Sequence, residues 1–259
     1  MTATTLPPQW ESLAQELHQA RQAGILLPHR TAEALPPTKA AAYAVQDRTI
    51  DLDGREPRAW KLGATMLAAQ NSLGLSEPFA GPVLQQWIMA SPAQLDVRTF
   101  SCTVFEPEIA FKLGSDIDRP ISEDEAAAAI ATWHAAIEVI NFRFIDGRLM
   151  NALGMITDLG ANGGLVVGPA MAEGVFDYAT LPLEVRINGH VVANRTPPPP
   201  ETDPVGLLVW FSRHVTDRGY VLKRGDVITT GSQAGVIPYQ PGDLVEADFG
   251  PGGIAAFQS

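Results

Sequence analysis

Turn formers interrupt this chain so often after Val83 that little beyond short strands fits there, and that texture limits the fold more than any other feature of its 259 residues, which include 23 Gly and 21 Pro. Leu183 to Val192 carries Asn188-Gly189 at its centre, the pairing that a tight hairpin turn demands. Strands are expected at Asp226–Thr230, Leu244–Phe249 and Ile254–Phe257. Ala135–Phe144 also reads as a strand, with Ile137, Val139, Ile140, Phe142 and Phe144, closed by Asp146-Gly147. Two helices interrupt the pattern. One begins at Ser122, where Glu125 completes a capping box before an Ala-rich run that should end near Trp133. The other spans Asp203–Arg218.

The first 80 residues read differently. Trp10, Leu13, Leu17 and Ala20 recur at helical spacing between Pro8 and Gly24, and Ala41, Val45, Thr49 and Leu52 do so within Thr38–Leu52, before Asp53-Gly54. A strand at Ala59–Gly63 and a helix at Met66–Leu73, stopped by Gly74, follow. The expected division is therefore a helical region at 1–80 and a mainly β region at 81–259. Thr196–Pro200 holds four consecutive prolines and reads as an extended loop, since elements of similar texture flank it. No internal repeat is visible.

Eighteen Lys and Arg against 29 Asp and Glu leave a net charge of −11, which repels phosphate backbones and anionic lipid surfaces. Nucleic acid and membrane partners are therefore not expected. No apolar run reaches the ~18–20 residues of a membrane span, and Met1–Trp10 has neither the basic start nor the apolar stretch of a signal peptide. Cys102, the single cysteine, excludes an intrachain disulfide and any CxxC motif. It reads as a small buried hydrophobe in a reducing, cytoplasmic setting.

The chemistry concentrates in Phe105-Glu106-Pro107-Glu108. Side chains two apart on a strand share a face, so both carboxylates point the same way. Glu138 lies in the apolar run Ala136-Ile137-Glu138-Val139-Ile140, where an unpaired ionised side chain is heavily penalised. Three oxygen ligands suit a hard divalent cation, Mg²⁺ or Mn²⁺. The same pattern arises where Glu106 and Glu108 decorate a solvated face and Glu138 pairs with an arginine. Lys61, in Ala59-Trp60-Lys61-Leu62-Gly63, is either a snorkelling lysine or a partly desolvated ammonium fit for proton transfer or carboxylate pairing. Gly231-Ser232-Gln233 offers backbone N–H groups and a hydroxyl that could hold a substrate carboxylate; a plain turn gives the same string. No serine-hydrolase elbow, dinucleotide fingerprint or histidine metal spacing is present.

Ala42-Tyr43-Ala44-Val45-Gln46, Trp60-Lys61-Leu62-Gly63, Glu77-Pro78-Phe79-Ala80-Gly81, Phe105-Glu106-Pro107-Glu108, Ala136-Ile137-Glu138-Val139, Gly225 to Ser232 and Pro241 to Pro251, in this order and spacing, resemble the 2-keto-4-pentenoate hydratase and 4-oxalocrotonate decarboxylase group of the fumarylacetoacetate hydrolase superfamily. The resemblance covers nearly the whole chain. It implies an α+β fold, with a mixed β-roll or open barrel and a helical N-terminal region, and a homo-oligomer. It also implies Mg²⁺ or Mn²⁺ on Glu106, Glu108 and Glu138, a 2-oxo or 2-hydroxy-dienoic acid substrate, and Lys61 beside its reacting carbons. Hydration of a 2-hydroxy-2,4-dienoate to a 4-hydroxy-2-oxo acid in aromatic meta-cleavage catabolism is the implied reaction. Decarboxylation of a 4-oxalocrotonate-type diacid, C–C bond hydrolysis and a catalytically silent assembly subunit are the alternatives. One position departs: hydratases of the group commonly carry an acid where Phe79 stands, so either Glu77 replaces it as a catalytic residue, or the proton transfers differ, or the reaction is not the standard hydration.

Overall fold

The computed structural model describes residues 6–146, 151–174, 177, 180–196 and 203–259. Gly147 and the four prolines of the expected extended loop lie outside them. The N-terminal helices form where their caps dictate. Helix α1 (Pro8–Ala23) stops at left-handed Gly24, and α2 (Lys39–Asp53) starts at Thr38, whose hydroxyl accepts the Ala41 N–H, and stops at left-handed Gly54. They pack through Leu13, Leu17 and Val45 in a small apolar cluster of their own, which Phe144 joins from far along the chain.

The rest is built on two mixed sheets. Strand β1 (Ala59–Gly63), helix α3 (Leu67–Leu73) and strands β2 (Phe79–Val83), β3 (Ile88–Ala90) and β4 (Ala93–Gln94) come first. Then follow β5 (Val104–Leu113), α4 (Glu123–Ala129), β6 (Ile130–Ile140), α5 (Ala152–Thr157) and β7 (Asn162–Glu173). The C-terminal part holds β8 (Leu183–Ile187), β9 (His190–Arg195), α6 (Pro204–Asp217), β10 (Val227–Ser232), β11 (Ile237–Pro238), β12 (Leu244–Asp248) and β13 (Ile254–Gln258). Among the described residues one sheet runs β2-β1-β10-β5-β6-β7-β3, with β11 also paired to β5, and the other runs β4-β13-β12-β8-β9. Phe105 of the first sheet meets Phe257 of the second edge-to-face at 5.8 Å, and Tyr239 closes the trio. This core holds one face of β5 and β6 rigidly, so the other face is free to carry the site.

The structure departs from the sequence reading at four points. The capping box at Ser122 and Glu125 forms, yet α4 ends at Ala129 rather than near Trp133. Ile130 and Thr132 are β-branched, and pairing Leu113 with Ile130 and Lys112 with Thr132 draws them into β6, outweighing the helical preference of the alanines before them. That strand accordingly begins before Ala135 and ends at Ile140, short of Phe144. Strand β7, whose small and Gly-rich residues show no alternation, was not expected at all; it forms because β6 supplies a ladder from Thr132–Glu173 to Ile140–Asn162. The expected boundary at 80/81 falls inside β2, and β1 sits in the larger sheet between β2 and β10.

Candidate functional site

Alternation along β5 places Phe105 and Ile109 in the core between the sheets and leaves Glu106 and Glu108 on the opposite face. Antiparallel pairing sets Glu106 directly opposite Glu138 on β6, and Glu108 opposite Ala136, so Glu108 is a diagonal neighbour of Glu138. Carboxylate oxygens of Glu106, Glu108 and Glu138 lie within 4.8 Å of one another; Glu108 and Glu138 are buried and Glu106 is partly exposed. Small side chains around them, Ala59, Ala110 and Ala136, keep the face open enough for such an approach.

Lys61 reaches the same cluster from β1. Its Nζ lies 3.3 Å from Glu138 Oε2 and 5.0 Å from the centre of the Phe79 ring. Cross-strand pairing explains this seat. Lys61 faces Gly81 and Gly63 faces Phe79 across β1 and β2, so the Phe79 ring lies over Gly63 and meets Lys61 diagonally. A Cβ on Gly63 would stand 2.3 Å from Phe79 Cζ, and one on Gly160 would stand 3.0 Å from Lys61 Cδ. Both positions tolerate no side chain while the lysine and ring stay where they are.

The electrostatics are those of an incomplete site. Burial, reinforced by the Glu138 charge, pushes Glu106 up to about 7. Burial and the charges of Glu138 and Glu106 likewise hold Glu108 well above the carboxylate range. For Lys61, burial alone would lower the pKa, but Glu138, Glu106 and Glu108 together outweigh it and the net shift is upward. Glu108 Oε1 is buried with no hydrogen-bond partner. Three mutually repelling carboxylates within ligand reach of one another and an orphaned oxygen suit an all-oxygen divalent cation site, so the residues fit such an ion.

The other expected residues divide. Gly231 lies at the site, but its N–H donates to Glu108 Oε2 at 2.7 Å and is therefore committed to the protein rather than open to a substrate carboxylate. Its φ of +93° and the Thr65 hydroxyl, 2.1 Å from where a Cβ would stand, require glycine there. Ser232 pairs with Glu108 in the ladder, and its hydroxyl donates to Gly235 O at 2.9 Å. Gln233 Nε2 donates to Gly231 O, leaving its buried Oε1 without a partner. Glu77, a candidate to replace the acid missing at Phe79, is engaged by other residues. Its carboxylate accepts from Lys39 Nζ at 2.6 Å and Trp210 Nε1 at 2.9 Å, which hold it below the usual carboxylate range. Asn162 was missed: its Nδ2 donates to Glu138 Oε1 at 3.2 Å, and its Oδ1 is a buried acceptor with no partner. Nothing in its local sequence marks it, because only the β6–β7 pairing brings it to Glu138.

Comparison with known proteins finds relatives over nearly the whole chain. The chain is 27% identical to the 2-keto-4-pentenoate hydratase of Paraburkholderia xenovorans (strain LB400) over 249 residues, covering 93% of this chain and 91% of that one. It is 24% identical to a 4-oxalocrotonate decarboxylase of Pseudomonas sp over 250 residues, covering 95% and 96%. The fold matches 4-oxalocrotonate decarboxylase from Pseudomonas putida G7, solved with calcium and acetate, at a TM-score of 0.84 with 21% identity over 98% of both chains. Residues 82–258 match the Fumarylacetoacetate (FAA) hydrolase C-terminal family, and the chain belongs to that family.

Proposed function

We propose that this protein is a divalent-metal-dependent hydratase that converts a 2-hydroxy-2,4-dienoate into a 4-hydroxy-2-oxo acid. The observation that carries the reading is the convergence of Glu106, Glu108 and Glu138 within 4.8 Å, with Lys61 Nζ 3.3 Å from Glu138. Glu106, Glu108 and Glu138 would hold the ion, Mg²⁺ or Mn²⁺. When bound, it supplies positive charge against the carboxylate and the 2-oxygen of the substrate. Lys61 delivers a proton to C5 while the 2-hydroxyl releases one to solvent, from which Lys61 is then recharged, moving the double bonds to C2=O and C3=C4. Water then adds across C3=C4, its hydroxyl to C4 and its proton to C3. The Phe79 ring walls the Lys61 ammonium off from that side and keeps its hydrogen-bonding capacity for the carboxylates and substrate. Asn162 holds Glu138 in orientation, and the Gly231 N–H does the same for Glu108. Soluble substrates of this size suit a chain in which no helix among the described residues is long and apolar enough to cross a membrane.

The test combines binding with turnover. Metal-stripped protein should bind Mn²⁺ near one equivalent by calorimetry, and with Mg²⁺ or Mn²⁺ should bleach the ultraviolet absorbance of a 2-hydroxy-dienoate. Absence of Mn²⁺ binding, or equal turnover in EDTA, would refute the reading. A second reading rests on Phe79: with no acid beside Lys61 other than the three glutamates that would hold the ion, the site lacks an evident group to activate the water, while enolate-forming decarboxylation needs none. Phe79→Asp separates the two. A gain in hydration supports a re-specialised hydratase, whereas no gain together with CO₂ release from an oxo-diacid favours the decarboxylase.

A further inference from the structure

Beside the N-terminal end of β7 lies a second charged cluster that the proposed reaction does not use. Arg21 of α1, Arg143 and Asp158 are all buried, with the Arg21 and Asp158 side chains 5% and 0% exposed and Arg143 3% exposed overall. Asp158 is already committed: one oxygen pairs with Arg21 Nη2 at 2.5 Å and the other accepts the Arg143 backbone N–H at 2.6 Å. Among the described residues no carboxylate stands within ion-pair distance of the Arg143 guanidinium. Its Nη2 donates to Thr99 O at 3.0 Å, its Nη1 has the Ile25 carbonyl at a long 3.4 Å, and its buried Nε has no acceptor. Arg21 Nε is likewise buried with no acceptor.

Two guanidiniums against one carboxylate leave a buried positive charge, and a buried charge without a counter-ion is a large penalty that proteins relieve by pairing. The strain on that charge is visible in its acidity, since burial and the adjacent Arg21 pull Arg143 down to about 10. Both arginines line a cavity of about 270 Å³, whose other walls include the apolar side chains of Trp87, Met89, Leu95 and Phe100. The acid at its rim, Asp96, is taken by Arg98 at 2.5 Å.

We infer that this cavity is a binding site for a carboxylate with a short apolar tail, its anionic head on Arg143 beside Arg21 and its tail against Trp87 and Phe100. A carboxylate supplies the acceptor that the Arg143 Nε–H lacks, and the apolar wall favours a small organic acid over an inorganic ion. The same chemistry can come from a free acid or from an acidic side chain on a second copy of the chain. The site is separate from the three glutamates, and its existence does not depend on the proposed reaction. It is nevertheless joined to them: Arg21 Nη1 donates to Asn162 O at 3.0 Å, and Asn162 Nδ2 holds Glu138.

The experiment uses the full chain in EDTA, so that no carboxylate is drawn to a metal. ¹³C-carboxyl butyrate is titrated by NMR and by thermal unfolding at constant ionic strength, with chloride as the control anion, and assembly is followed by light scattering. The expected result is saturable binding to the wild type that rises above chloride and falls at least tenfold in Arg143→Met, with Arg143→Lys intermediate because it keeps the charge but loses the Nε donor. If the wild type instead ignores butyrate and Arg143→Met shifts the assembly to a smaller species, the carboxylate comes from the neighbouring copy, and the site stands with that source. Should Arg143→Met fail to fold, the wild-type titration and Arg143→Lys decide between the same outcomes. No saturable wild-type binding and no change of assembly in the folded variants overturns the inference.

Discussion

On one face of β1, Trp60 lies under the Arg218 guanidinium, which also sits over the rings of Tyr43 and Tyr220 and bonds Asp47, Gln46 and His214. On the other face, one residue later, Lys61 meets Glu106, Glu108 and Glu138. Both clusters are polar, aromatic-walled and largely buried, and both draw on residues far apart in the chain. They differ in closure. Arg218 has an acid in contact, and Tyr220 donates its hydroxyl to that acid at 2.9 Å. The acidic cluster keeps an excess of negative charge and an oxygen with no partner. A cavity of about 480 Å³ opens beside Arg218, so size does not identify the site; charge left unsatisfied does.

The sharpest way to break this contrast is to remove one charge from the open cluster. Glu108→Gln should lower metal-dependent turnover by at least ~10³-fold, while unfolding in EDTA stays level or rises, because a repelling carboxylate has gone. A matching stability test adds Mn²⁺ to the wild type at about 100 times its dissociation constant. That should raise stability by about 2.7 kcal/mol, on the order of 5–10 °C in Tm, and the variant should lose most of the shift. Next in size is Lys61→Met. It should cost about 10²–10⁴ in kcat and abolish solvent-deuterium incorporation at C5, with Mn²⁺ affinity retained. Exchange that persists at saturating substrate would make Lys61 a substrate-binding residue instead.

The closed cluster should respond in the opposite currency. Arg218→Ala should cost about 2–3 kcal/mol in chemical unfolding, by stranding Asp47 and uncovering three aromatic rings, while leaving Mn²⁺ affinity unchanged. A shift in metal affinity would show that the two faces of β1 are coupled. The last effect is in pH dependence. Burial, with Arg218 next to it, holds His214 down to about 3, against ~6.5 in an unfolded chain. Below pH 6.5 the unfolded chain therefore binds a proton that the fold refuses, and this contribution to stability is lost as pH falls towards 3. His214→Gln should flatten that part of the stability profile, measured as Tm between pH 7 and pH 4. An unchanged profile would place the acid sensitivity elsewhere.

Much of this architecture is local in origin and therefore readable from the chain. Gly24 and Gly54 end their helices because left-handed backbone favours glycine, Ser122 and Glu125 cap α4 through neighbours three residues apart, and Asn188-Gly189 turns a hairpin. The pairing of Glu106 with Glu108 is local as well, since a strand repeats every two residues. Glu138 stood out because an acid in an apolar strand demands a partner. The boundary between α4 and β6 was not legible, because alanines accept either state and the ladder on β5 chose for them.

What the tertiary structure alone decided is which atoms face one another across long stretches of chain. Asn162 reaches Glu138 through a strand that has no periodic signature, and Gly231 spends its N–H on a glutamate 123 residues earlier. Glu77 could be read as a spare acid, but Lys39 and Trp210, far from it in sequence, already hold both of its oxygens. Residue type and spacing determined which side chains carry charge and which share a face; partner identity depended on strand order and register, which are set by the packing of the two sheets as a whole and not by any window of sequence.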